Sequence, residues 1–219
     1  MRAMKVSRSI TALAFVAVLS LGISSARAAQ DAVLSPSAKA TVEQADHYFD
    51  QVHTLKARFV QEAANGAETE GMLYLDRPGK LRLEYAPPTP ILVVAQGGTL
   101  VYYDSKLGQV SYVDLDSTLA GVLVRPEVHL DGGDLKVTGV GSQPGTATIT
   151  VTKREDSSQG RITLVFTEKP FQLRQWQVVD QQGQVTTVTL YDQQSGLALD
   201  DALFTFHDPR TVPGAARHD

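Results

Sequence analysis

From residue 54 onward the apolar positions recur mostly every second residue, and turn-forming residues interrupt the runs at short intervals. The clearest case is Gly71–Pro90 (GMLYLDRPGKLRLEYAPPTP). Leu73, Leu75 and Arg77 fall on one side of a predicted strand, with Met72, Tyr74 and Asp76 on the other. Arg77-Pro78-Gly79-Lys80 is turn chemistry, since Pro78 fixes φ and Gly79 tolerates φ > 0. Leu81, Leu83 and Tyr85 form a second apolar row, which Pro87, Pro88 and Pro90 stop. The pattern predicts a hairpin with one apolar face. Arg77 is then either a solvated strand end or a buried guanidinium that pairs with something mobile.

Further strands are predicted at Lys56–Glu62, Ile91–Ala95, Thr99–Asp104, Gln109–Leu115, Leu135–Val140, Thr146–Thr152, Arg161–Thr167, Leu173–Val179, Val185–Tyr191 and Leu203–His207. Asn65-Gly66, Gln96-Gly97-Gly98, Asp131-Gly132-Gly133 and Pro144-Gly145 are among the punctuators. Strands this numerous on short connections call for one large antiparallel sheet, strongly twisted or curled into a barrel or half-barrel. Two stretches depart from the period of two. Ser35-Pro36 opens a helix on which Val42, Ala45, Phe49 and Val52 share a face through about Thr54. Asp116–Arg125 carries Leu119, Val122 and Leu123 at helical spacing, with Asp116 or Ser117 as cap and Arg125-Pro126 as stop. Both helices must lay apolar faces on the sheet, as a lid or simply as core filling.

Composition narrows the setting. Arg2, Lys5 and Arg8, the apolar run Ile10–Ile23 and Ala26-Arg27-Ala28 read as a signal peptide (residues 1–28) cleaved after Ala28. The apolar run is too short for a comfortable span, which takes ~20 residues. Removing that segment takes away four cations and no acids, so the net charge moves from -4 to about -8. An acidic exported domain is not expected to bind nucleic acid. The chain has 0 cysteines, which excludes disulfides, thiol catalysis and an N-terminal lipid anchor on Cys. We expect a tail over 29–36, one domain over 37–210 and a polar tail over 211–219.

Catalytic signatures are missing. No nucleophile elbow occurs, and Gly139-Val140-Gly141 lacks dinucleotide-binding spacing. His47 and His53 are not at the spacing of a zinc helix, and no metal or other cofactor is expected. The acid pairs Asp131/Asp134 and Asp200/Asp201 read as solvated turn carboxylates. The strands instead offer apolar and aromatic surface in excess, among it Tyr102, Tyr103, Tyr112, Trp176, Tyr191, Phe204 and Phe206.

The block Gly71-x-Leu73-x-x-x-Arg77-Pro78-Gly79-Lys80-Leu81-Arg82-x-Glu84-Tyr85-x-x-Pro88 resembles the periplasmic outer-membrane lipoprotein carrier family (LolA). So do Phe59-x-Gln61, the Gly97/Gly98 turn with Tyr102-Tyr103-Asp104, and Phe204-x-Phe206, so that the likeness spans about Ser37 to Arg210. The resemblance implies a mainly β fold: a single incomplete half-barrel of about eleven antiparallel strands with a short-helix lid over a hydrophobic cavity. It implies a monomeric periplasmic chaperone, not an enzyme. Such a carrier takes acylated lipoproteins from an inner-membrane lipoprotein-releasing ABC transporter to an outer-membrane acceptor. In the family the arginine before the turn proline bonds lid backbone and holds the empty cavity shut, and that position is Arg77. Phe59, Leu73, Leu75, Leu81, Leu83 and Tyr85 are the expected acyl-chain cavity; Val42, Phe49, Val52, Leu119, Val122 and Leu123 are the expected lid. The family often has bulky aromatics after the turn, where this chain has Leu81 and Leu83.

The competing reading is a periplasmic lipid- or lipoprotein-sensing regulatory module with the same half-barrel. Sensors of that kind usually carry an additional domain, and this chain ends soon after Phe206. A small outer-membrane barrel fits poorly with Lys153-Arg154-Glu155-Asp156 and the threonine face Thr148/Thr150/Thr152.

Overall fold

The computed structural model describes residues 34–211. One helix, α1 (Pro36–Gln51), precedes β1 (Thr54–Glu62), β2 (Glu68–Asp76), β3 (Lys80–Tyr85), β4 (Ile91–Gln96), β5 (Thr99–Asp104) and β6 (Gln109–Asp114). After a long connection come β7 (Leu135–Gln143), β8 (Thr146–Lys153), β9 (Arg161–Glu168), β10 (Phe171–Val179) and β11 (Val185–Ser195). All eleven form one antiparallel sheet in the order β6-β5-β4-β3-β2-β1-β11-β10-β9-β8-β7. The first and last strands therefore pair in the middle, while β6 and β7, neighbours in the chain, are its two free edges. This unclosed sheet is the fold class that the sequence predicts.

Register explains the core. Leu55, Leu75, Leu81 and Ala95 face one another across four strands, and Ala57, Leu73, Leu83 and Val93 make the next row. In the other half, Val188, Trp176, Leu164 and Ile149 continue the same apolar face. Gly71 lies between Phe59 and Tyr85, whose rings meet edge to face with centroids 5.0 Å apart. A Cβ at residue 71 would run into the Glu84 carbonyl and come within 2.8 Å of the Phe59 ring. Glycine is thus required there by close packing, whereas Gly79 is required by its φ of 78° in the β2–β3 turn. Register shifts in the β1/β11, β9/β10 and β7/β8 pairs add local twist to the sheet.

Helix α1 starts where the sequence suggests, with Ser35 Oγ accepting from Ala38 N at 3.2 Å and Pro36 in the first turn. It buries Val42, Ala45 and Phe49. It ends at Gln51 rather than near Thr54, because Thr54 already pairs with Asp76 in the sheet. The expected helix over Asp116–Arg125 is a single 3-10 helix, Leu119–Val124, capped by Thr118 rather than Asp116 or Ser117. Thr118 Oγ1 takes the Gly121 N–H at 3.0 Å and gives its own proton to the Leu115 carbonyl at 2.8 Å, which tightens the turn.

The strand expected at Leu203–His207 does not form. Asp200 accepts from Ala202 N at 2.9 Å and starts a 3-10 turn, Asp201–Phe204. The alternation of Phe204 and Phe206 serves packing on a sheet face, not a ladder. Lys80 reaches Asp201 at 2.6 Å, Arg82 donates to the Leu203 carbonyl at 3.1 Å, Phe206 packs against Tyr103, and the Tyr112 hydroxyl donates to Asp208 at 2.9 Å. These contacts lay residues 201–208 over the outer face of β3–β6, opposite the core rows, and Phe204 there is fully buried.

The signal segment 1–28 with its cleavage site, residues 29–33 of the expected tail and residues 212–219 lie outside the described residues. Of that tail, Leu34 packs against the core and Pro36 is already helical.

Candidate functional site

Arg77 immediately follows β2, and its backbone N–H donates to the His53 carbonyl at 2.8 Å, extending the β1–β2 pairing by one bond. Its side chain is only 7% exposed. Nη1 donates to the carbonyl of Phe49 and, at 3.4 Å, to that of Val52; Nε and Nη2 donate to the carbonyl of Arg125 at 3.0 and 2.6 Å. The guanidinium also lies 5.5 Å from the centre of the Phe49 ring. One cation thus joins the last turn of α1 to the residue that follows the 3-10 helix.

Helix physics explains the choice of partners. The last carbonyls of an α-helix have no intrahelical donor and carry the negative end of its dipole. The last turn of α1 contains no basic residue of its own, and Arg77 supplies that charge from the sheet. Burial lowers the guanidinium's pKa from its ordinary value, against the opposing influence of Asp50 and Tyr48. Arginine nevertheless keeps its proton, so a charged donor faces backbone oxygens in a dry setting.

The lid and sheet residues expected from the sequence come together. Val42, Phe49, Leu119, Val122 and Leu123 are buried in the same cluster as Phe59, Leu73, Leu75, Leu81 and Leu83, with Val52 and Tyr85 packed against it. A hollow of only about 20 Å³, room for about one water-sized sphere, lies among Tyr48, Phe49, Val52, Leu123, Leu73 and Leu75. Of the expected cavity residues Leu73, Leu75 and Leu81 line it; Phe59, Leu83 and Tyr85 do not. Tyr85 instead donates its hydroxyl to Gln61 Oε1 at 2.7 Å. The space is small because the apolar faces of both helical elements occupy it.

Sequence reasoning missed several participants. Tyr48, Leu55, Leu173 and Leu190 line the hollow, and Trp176, noted only as an aromatic, does so too. Burial pushes the Tyr48 phenol up to about 12, against the lowering effects of a hydrogen bond from the Leu173 backbone N–H and of nearby Arg77. Asp46 on α1 accepts from Leu130 N at 3.1 Å, tying the helix to the chain beyond the 3-10 helix. Asp134, expected as a solvated turn carboxylate, is instead held by two cations: Arg125 Nη1 and Nη2 meet its two oxygens at 2.7 and 2.8 Å, and Lys153 reaches Oδ2 at 2.7 Å. Asp201 stays a solvated carboxylate, its side chain 81% exposed, while pairing with Lys80.

An open sheet with two helical elements packed on its apolar face, joined to each other by one buried arginine, defines a class: an unclosed half-barrel with a helical cover. Within that class the chain belongs to the LolA family, since the profile described as outer membrane lipoprotein carrier protein LolA matches residues 50–207. Relatives named outer-membrane lipoprotein carrier protein include one from Methylococcus capsulatus, 28% identical over 173 residues (75% of this chain, 82% of the relative). Another, from Pseudomonas paraeruginosa, is 29% identical over 207 residues, covering 90% of this chain and 94% of the relative. Among solved structures, the LolA superfamily protein NE2245 from Nitrosomonas europaea is similar at 13% identity and a TM-score of 0.45, over 77% of this chain and 97% of that one. The family's named role is carriage, not catalysis.

Proposed function

We propose that this protein is a periplasmic carrier that shelters the acyl chains of lipoproteins against its sheet. It takes them from an inner-membrane ABC transporter and yields them to an outer-membrane acceptor. The observation that carries this reading is the bonding of Arg77 to both helical elements at once, with an apolar sheet face directly beneath them. Names borne by the relatives support the cargo class.

Energetics favour a covered sheet over an open trough. Each buried CH₂ is worth ~0.8 kcal/mol, so fully enclosing several acyl chains gains tens of kcal/mol. That exceeds the roughly 20 kcal/mol ceiling of non-covalent affinity and would forbid release. Here the cargo must first displace Phe49, Val52, Val122 and Leu123, whose own burial stabilises the closed state. Only the difference between the two burials, less the Arg77 hydrogen bonds, drives loading. Those bonds are charge-assisted and worth roughly 1.5–3 kcal/mol each, enough to tune a transfer that must run in both directions.

The test is direct. The chain is purified from periplasm without detergent, and co-purifying acylated polypeptides are sought by mass spectrometry. Stoichiometric recovery of triacylated polypeptides supports the reading, and their absence from Arg77→Leu as well as from wild type rejects it.

A further inference from the structure

The chain passes from one free edge of the sheet to the other through residues 115–134, and both ends of the segment that crosses converge on a single ion pair. At its start the Asp116 carbonyl accepts from Lys153 Nζ at 2.9 Å. At its end the Arg125 guanidinium forks onto both oxygens of Asp134. Lys153 and Asp134 are themselves bonded at 2.7 Å. The segment is therefore a strap whose two ends are buckled at the β7–β8 edge. Arg125 has a double part: its side chain enters the buckle, and its carbonyl is the acceptor for Nε and Nη2 of Arg77. Val124, just before it, accepts from Gly79 N at 2.7 Å, so the strap is also sewn to the β2–β3 turn.

We propose that Arg125, Asp134 and Lys153 are positioning residues that set the strength of the Arg77 lock, by fixing where the Arg125 carbonyl sits. The proposal rests on the reading of residues 119–125 as part of a movable cover. A carbonyl on a loose loop would still meet the guanidinium, but the ordering of that loop would be lost from the bond's strength. The two-oxygen fork removes that cost in advance, because a planar guanidinium facing a carboxylate fixes orientation as well as distance. The cations of the buckle are well shielded, their side chains being 20% exposed at Arg125 and 13% at Lys153, while Asp134 is 49% exposed. The carboxylate is thus the member that solvent or a docking partner can reach. In agreement, the hydrogen bonds from Arg125 hold the Asp134 carboxyl well below the usual carboxylate range.

Binding of the fluorescent fatty acid dansyl-undecanoic acid, with thermal midpoints measured in parallel, tests this. Relative to wild type, Asp134→Ala should bind about two- to fivefold more tightly, the scale of a partly exposed ion pair converted into open population. Arg125→Lys, which keeps the charge but not the fork, should shift in the same direction. In an Arg77→Leu background the Asp134→Ala effect should vanish, since the lock it positions is gone. A purely structural role would lower the midpoint alike in both backgrounds and would not distinguish them in probe binding. If Asp134→Ala fails to fold, Asp134→Asn and Lys153→Met replace it in the same cycle. Unchanged probe affinity in the buckle variants, with tighter binding in Arg77→Leu, overturns the proposal alone. Equal tightening in both backgrounds also overturns it. Unchanged affinity in Arg77→Leu overturns the lid reading itself.

Discussion

Arg77 grips Arg125 with two nitrogens on one backbone oxygen, Nη2 at 2.6 Å and Nε at 3.0 Å, across 48 residues of sequence. No carboxylate forms an ion pair with Arg77 among the described residues, so its charge is satisfied by carbonyl dipoles. As the proposed lock, this arrangement would open without leaving a buried anion behind, which an arginine–carboxylate lock would not do.

Arg77→Leu should remove the lock while keeping an apolar side chain. The Phe49 and Arg125 carbonyls lose their donor, which costs about 1–3 kcal/mol each if they stay buried. Thermal stability should fall, acyl-probe affinity should rise by about tenfold, and hand-off to an acceptor should slow. A reconstituted transfer assay that gives equal rates for wild type and variant contradicts the assignment.

Asp46 offers a separate hold on the same helix. Burial raises its carboxyl pKa above the ordinary value, against the lowering effects of the Leu130 N–H and His129. With the folded pKa raised, its contribution to stability is full at acid pH, below the unfolded value, and is lost as pH rises through the folded one. Asp46→Asn keeps an acceptor for Leu130 and carries no buried charge. Its stability should equal or exceed wild type at pH 7 and lose that advantage near pH 3. Asp46→Ala should be about 0.5–1.5 kcal/mol less stable at pH 7. Denaturant melts at the two pH values check both signs.

Asp134 has the opposite sign. Its folded pKa is depressed, so its stabilising effect is present above the unfolded carboxylate value of 3.8 and is lost as pH falls through the folded one. The side chain is half exposed, so the effect is at most about 1 kcal/mol. The stability gap between wild type and Asp134→Asn should be constant from pH 6 to pH 8 and shrink below about pH 4. A gap that persists unchanged in acid assigns the stabilisation to shape rather than charge.

Gly71→Val should disturb the hairpin from within. The new side chain meets the Glu84 carbonyl and the Phe59 ring, and neither can give way without shifting a strand or the Tyr85 contact. Overpacking of this kind costs about 1–3 kcal/mol, read as a lower midpoint in urea at unchanged slope.

The sheet was legible because its signals are local. Period-two rows such as Leu73/Leu75 and Leu81/Leu83, and turns at Gly66, Gly79 and Gly97-Gly98, need only neighbouring residues to be read. Phe204 and Phe206 misled for the same reason: their alternation matches a strand, yet β3–β6 offer them a face and not an edge. The partners of Arg77 were beyond residue-level reading, because carbonyls of Phe49 and Arg125 carry no side-chain signature, and the lid contact came through family resemblance. Asp134 looked like any acid beside glycines, since its cations lie 9 residues before it and 19 residues after it along the chain. Apolar patterning located the greasy face but said nothing about the free volume above it.

The band of residues 201–208 across the back of β3–β6 has a mechanical result. Through Lys80–Asp201, Arg82–Leu203, Tyr103–Phe206 and Tyr112–Asp208 it ties β3, β5 and β6 together from outside, directly behind the rows that cargo would press on. A wall tied in this way resists bellying outward to make space. If the sheet takes a guest as proposed, the volume should come from the front, and swelling on loading should be one-sided, with the helices travelling and the wall standing still.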